Sequence, residues 1–166
     1  RDTLLLLGRS LKHGPPGPHP FPPPKDWKFT QHNPFKAIYD SDHRTVYLMT
    51  PRIQKHPFLS VFDGPDASAS TGQRLTSTTP LQALFLLNDP LVHRQADRFA
   101  AALIRESPDN PSRITSLFSQ LFSRPPTTDE SRDATSFLEQ ARATGADPWP
   151  ALVRALLRTN EFIWLD

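Results

Sequence analysis

The chain has 166 residues, with 19 basic and 17 acidic side chains, a formal net charge of +2 and no cysteine. That length suits one ordinary domain with a real core, and the charges are mixed along the chain, which argues against a nucleic-acid binder with its Lys and Arg gathered on one face. The missing cysteines exclude disulfides, thiol catalysis, cysteine-ligated zinc and covalent haem attachment within the segment, and no apolar run, Leu4–Leu7 included, reaches the length of a membrane span.

The chain opens on Arg1-Asp2-Thr3 with no initiator methionine or leader, and reads as a piece of a longer protein. Asp2 to Lys12 reads as the end of a helix whose leucines need a partner. His13 to Pro24 is dense in proline, with Gly14 and Gly17, and cannot hold a regular helix or a central strand. It predicts an extended strap over the domain surface, or else a recognition segment for an aromatic-lined groove. Trp27, Phe29, His32 and Phe35 follow without a period and are expected to anchor that strap in the core. Arg44 to Met49 alternates over a β-prone composition, so one short strand is expected there, ended by Pro51. Leu59 to Phe62 reads as an apolar turn or short helix, Asp63-Gly-Pro-Asp66 as a turn, and Ala67 to Gly72 as loop. More than half of the 19 prolines lie before Asp66.

The organising stretch is Arg74 to Pro90. Thr79 suits an N-cap and Pro80 the first helical position, whose N–H has no intrahelical partner in any case. Leu81 to Leu87 leaves almost no polar face, which predicts a helix buried on most sides. Asn88 closes it, and Asp89-Pro90 opens another by the same logic. Val92, Ala96, Phe99 and Leu103 then recur at helical spacing over about 90 to 105. Asn110-Pro111 starts a helix with the stripe Ile114, Leu117, Phe118, Leu121 and Phe122. Thr127 with Glu130 forms a capping box before Ala134, Phe137, Leu138 and Ala141, and Gly145 ends that helix. Asp147-Pro148 opens the next, with Trp149, Leu152, Val153, Leu156 and Leu157 inward, and Glu161 to Leu165 should pack rather than fray. The expected fold is mainly α: a bundle of about five helices, an irregular proline-rich N-terminal half, and at most one short strand or hairpin. We read one domain over 1–166, with strap and loops over 1–73 and the bundle over 74–166.

Asp63 and Asp66 are the best carboxylate pair, with His56, Arg44, Arg52 and Arg74 as the nearest charged partners in sequence. Two such carboxylates can serve as acid and base or bind a hard cation. Alternatively each caps a turn or helix and pairs with an arginine fork. The six histidines, at 13, 19, 32, 43, 56 and 93, show no metal-ligand spacing, so a zinc site would have to be assembled by the fold. Thr76 to Thr79 could hold an anion at a helix start or simply cap it. Gln82 and Asn88 flank an apolar helix and are suited to backbone groups of neighbouring loops. No nucleophile elbow, metalloprotease motif, P-loop or dinucleotide fingerprint is present.

Several strings taken in order carry a family resemblance: Phe29-Thr-Gln-His-Asn-Pro-Phe-Lys-Ala, His43-Arg-Thr-Val-Tyr-Leu-Met, Phe62-Asp-Gly-Pro-Asp, Arg74 through Thr-Thr-Pro-Leu-Gln-Ala-Leu-Phe-Leu-Leu-Asn88, and Asn160-Glu-Phe-Ile. Together they resemble the C-terminal region of the planctomycete-type family called domain of unknown function 1553. The matching motif positions are Arg44, Asp63, Asp66, Arg74, Thr79, Pro80, Gln82 and Asn88. The resemblance implies a large protein of the periplasm or cell exterior, in which this region follows partner domains of the same polypeptide, often with a cytochrome c-like domain. Its haem motif needs cysteines, so any haem c belongs elsewhere in the longer protein and this segment carries no cofactor. A link to polysaccharide breakdown comes with the resemblance; an assigned reaction does not. Three readings follow: a structural module completing the larger protein's core, part of a carbohydrate-active hydrolase or lyase site built on Asp63, Asp66, Arg74 and His56, or a carbohydrate-binding module stacking sugar on Trp27. The expected partners are the preceding domains and polysaccharide, with no nucleic acid and no membrane span.

Overall fold

The computed structural model describes residues 1–18, 25, 40–50, 52, 55–70, 72–73 and 77–163. Among them the chain is helical, as expected: α1 Asp2–Leu7, α2 Pro57–Val61, α3 Pro80–Asn88, α4 Pro90–Glu106, α5 Asn110–Phe122, α6 Thr128–Ala143, α7 Pro148–Leu156 and α8 Asn160–Ile163. The residues fall into two compact units, Arg1–Asp2 with Leu11–Gln82, and Thr3–Ser10 with Ala83–Asp166, so the division falls inside α3. Trp27, Phe29, His32 and Phe35, and half of the proline strap, lie outside the described residues.

In the first unit, the segment expected as a strand forms instead a single 3-10 turn over Thr45–Tyr47. A strand needs a neighbouring edge to pair with, and the only bridge among the described residues joins Lys12 to His43. The Asp2 carboxylate accepts from the Thr45 N–H at 2.8 Å and from its hydroxyl, which turns the backbone inward at that point. Leu48 is buried by this turn and Val46 is left exposed. α2 follows, burying Leu59.

The second unit is a helical bundle. α7 packs most extensively on α4 and next on α6, while α5 joins α6, α4 and α8. Its core is the set of stripes read from the sequence: Val92, Ala96, Phe99, Leu103, Ile114, Leu117, Phe118, Ala134, Leu138, Trp149, Leu152, Val153 and Leu157 are buried. α1 belongs here through Leu4, Leu5 and Leu7, so its leucines find their partner within the chain. It ends at Leu7, short of Lys12, because Arg9 takes a left-handed φ of 55° and the Ser10 N–H closes onto Leu5 O. Gly8 lies so close to buried Gln95 that a Cβ there would meet its Oε1 at 2.0 Å, and Ser10 Oγ donates to that same Oε1 at 2.7 Å.

Several helix starts follow the cap rules, while at α7 Asp147 stands at the N-cap without a side-chain bond. Asp89 caps α4 by accepting from Leu91 N–H, and Thr127 and Glu130 make the reciprocal capping box of α6. At α5 the cap is Asp109, which accepts from Ser112 N–H at 2.9 Å, and Asn110 is already helical. The aspartate one residue earlier outcompetes the asparagine because its carboxylate also takes the Ser112 hydroxyl. Three expectations about burial do not hold. Phe137, expected on the buried face of α6, is 36% exposed. Only Leu86 of α3 is buried, while Leu81, Leu84 and Leu87 are 59%, 51% and 43% exposed. A helix apolar on every side needs partners on every side, and the described residues supply one for a single edge. Ile163 in α8 is also exposed, and Trp164 and Leu165 lie outside the described residues.

Candidate functional site

The sequence-predicted carboxylates and His56 sit in the first unit, on either side of α2. His56 is the N-cap of that helix: its ring Nδ1 accepts from Phe58 N–H at 3.3 Å. That bond fixes the proton of the neutral ring on Nε2, which lies 3.7 Å from Asp40 Oδ1. Asp40 is in turn held by Arg1 Nη2 and by the Ser41 N–H, each at 3.0 Å. Burial pushes His56 below its ordinary value, and the Arg1 charge adds to this against the opposing pull of Asp40. For Asp40, burial works upward but is outweighed by the Arg1 and Ser41 hydrogen bonds and the Arg1 and His56 charges, so the carboxyl ends below its ordinary value.

At the other end of α2 the chain reverses through Asp63, whose φ of 52° is left-handed, a conformation that aspartate tolerates better than most residues. Gly64 N–H then bonds Leu59 O at 2.7 Å. A Cβ on Gly64 would stand 2.6 Å from Leu59 Cβ and 2.8 Å from Leu59 O, so glycine is required there by close approach. Lys55 Nζ donates to Gly64 O. The reversal aims the Asp63 carboxylate at the start of α3. It accepts the Ser77 N–H at 3.0 Å, the Ser77 hydroxyl at 2.8 Å and the Gln82 amide at 3.4 Å. Gln82 also donates to Val61 O at 3.0 Å and to Ser77 Oγ at 3.2 Å. Its Oε1 accepts Thr79 N–H at 3.0 Å while Thr79 Oγ1 accepts Gln82 N–H at 3.3 Å, a capping box with glutamine in the third position. The Phe62-Asp-Gly-Pro string and the Thr-Thr-Pro-Leu-Gln string are therefore halves of one hydrogen-bonded joint between α2 and α3.

The structure does not bring all the candidates together. Asp66 is exposed and closes its own turn, accepting Ser68 N–H at 2.8 Å. Arg74 lies outside the described residues. Arg44 is exposed and gives its carbonyl to Tyr47 N–H, and Arg52 is exposed as well. Asn88 donates to Leu84 O at 3.1 Å. At the α3 start, the Asp63 carboxylate already takes the Ser77 hydroxyl that an anion would use, and its negative charge opposes one; Thr76 lies outside the described residues. Among the described histidines, His43 bonds Ser41 Oγ at 2.8 Å and His93 bonds Leu87 O at 2.8 Å. No group of three or more His, Asp or Glu suited to a metal ion occurs among the described residues.

Sequence reasoning missed the pairing of Ser77 with Asp63 and that of His56 with Asp40 and Arg1. The Thr79-Pro-Leu-Gln82 spacing was the available signal for the capping box, since glutamine serves there as glutamate does. Nothing in the sequence pairs residue 63 with residue 77, or residue 1 with residue 40. No helix among the described residues is long and apolar enough to cross a membrane. Compared with known proteins, residues 1–138 match the family model described as PSD1, protein of unknown function (DUF1553). No curated protein and no solved structure matches the chain.

Proposed function

We propose that this chain, which belongs to the DUF1553 family, is a structural module of a larger protein, packed against the preceding domains of the same polypeptide. The observation that carries this reading is the joint just described. Asp63, the candidate carboxylate, and the motif positions Thr79 and Gln82 bond to one another, to Ser77 and to backbone, locking α2 onto the start of α3. A catalytic carboxylate needs a lone pair turned toward substrate; Asp63 turns both oxygens to Ser77. The exposed Leu81, Leu84 and Leu87 of α3 give such a module an apolar face for the rest of its polypeptide. The periplasmic or extracellular setting and the connection to polysaccharide breakdown rest on the family resemblance, and any haem c would sit in the companion domain.

The test uses the full-length protein carrying Asp63→Asn or Asp66→Asn. Asp63→Asn weakens a charge-assisted cluster and should cost about 1–3 kcal/mol, read as a lower melting temperature, while Asp66→Asn at its exposed turn should change stability little. Turnover per folded molecule on a panel of sulfated and unsulfated polysaccharides should be unchanged in both. Turnover lost at an unchanged melting temperature would instead make the pair part of a hydrolase or lyase site.

A further inference from the structure

The second unit holds a cleft of about 270 Å³ where α5, α6 and α7 meet the start of α8. Phe118, Phe122, Leu152 and Leu156 line its apolar side, together with Phe137, which is 36% exposed. The charged residues lining it are of one sign, with Thr159 the neutral polar one. Glu130, Asp133 and Glu161 all line the cleft, and no lysine or arginine does. The guanidinium of Arg124 lies 5.8 Å and 5.6 Å from the Phe118 and Phe122 ring centres. It is shared between two carboxylates, with bonds of 2.7 and 2.8 Å to Glu130 and of 2.7 and 2.8 Å to Glu161. Asp133 has only the exposed Arg132 beside it.

The size and the charge together restrict what fits. Pockets that enclose free small molecules usually run from roughly 300 to 1,000 Å³, so this one is small for a sugar chain or a cofactor and suits one large side chain. An apolar floor under three carboxylates, with Arg124 shared between Glu130 and Glu161 and Arg132 beside Asp133, leaves a residual negative charge at the mouth, which favours a cation beside the inserted group. The charge is durable: hydrogen bonds from Arg124 and from Thr127 N–H hold Glu130 down to about 2, and Arg124 lowers Glu161 in the same direction. We infer that this cleft receives, from a second protein, a peptide segment presenting one bulky apolar side chain next to a lysine or arginine.

The test titrates the whole chain with the peptide Ac-Lys-Trp-Lys-NH2 and, in parallel, Ac-Glu-Trp-Glu-NH2, following backbone amide shifts by NMR. The basic peptide should move the amides of Ala134, Phe137, Ala155 and Thr159 in the millimolar range expected of so small a contact, with the acidic peptide at least fivefold weaker. Asp133→Lys lies on an exposed helix face and leaves the fold intact. It should weaken the basic peptide roughly fivefold by reversing one nearby charge. Ala155→Phe should fill the cleft and abolish the shifts. Because that variant could also misfold, its melting curve is recorded and the Asp133→Lys result stands by itself. Absence of shifts, equal binding of the two peptides, or shifts that grow with protein concentration and no peptide, the sign of a second copy in the cleft, would each overturn the inference.

Discussion

His56 shows how one side chain can couple a helix start to acidity. Its Nδ1 lone pair caps α2, and protonation would turn that acceptor into a donor facing the Phe58 N–H. Burial and Arg1 keep its folded value below that of the unfolded chain, so between the two values the unfolded state binds more protons. The stabilisation is therefore complete above about 6.5, the ordinary histidine value, and is lost as pH falls from there through the lower folded value. His56→Asn keeps a capping oxygen and does not titrate. Urea unfolding at a series of pH values should show a slope just below pH 6.5 in the parent that disappears in His56→Asn; an identical slope in both would remove His56 as its source. None of this was legible in the sequence, where His56 is one of six unaligned histidines and its partners Arg1 and Asp40 are far away along the chain.

Helix boundaries were the most legible feature, because caps are local. Asp89-Pro90, Thr127 with Glu130, and Gly145 could each be placed from a few neighbouring residues, and the structure uses all three. Thr127→Ala removes the hydroxyl that accepts Glu130 N–H and should lower stability by about 1 kcal/mol, measured by chemical unfolding; a change below the error of the fit would show that the Glu130–Arg124 bonds secure the α6 start without it. Burial was less legible than boundaries. Apolar periodicity reports that a face is greasy, but not whether its partner lies in the same chain, and α3 was misjudged for that reason. The Arg44 to Met49 segment failed in another way: its β-branched residues fit a strand, yet the Asp2 carboxylate captures Thr45 before any pairing can begin. The Asp63 joint needed contacts between residues well separated in sequence, so only its two halves could be read, not their union.

At the scale of the molecule, the family match ends at residue 138, ahead of α7, yet α7 packs against both α4 and α6. Trp149, Leu152, Val153 and Leu157 are buried there, and at about 1.5–3 kcal/mol each they rival the roughly 5–15 kcal/mol that holds a typical domain together. A chain ended after Leu138 should thus melt broadly, without a cooperative transition, when followed by circular dichroism. A sharp transition at the parent temperature would show that α7 is dispensable to the bundle.

The Asp63 joint also leaves a signature in time. Ser77 precedes α3 and belongs to no helix, so by location alone its amide would trade its proton with water quickly. With the Asp63 carboxylate accepting that proton at 3.0 Å, it can exchange only when the joint opens. In deuterated buffer Ser77 should retain its proton far longer than exposed loop amides such as Ala67 and Ser70, and in step with Thr79 and Gln82, whose N–H groups are closed by the same lock. A common rate for these three amides would give the opening free energy of the joint in the folded protein, with no residue replaced.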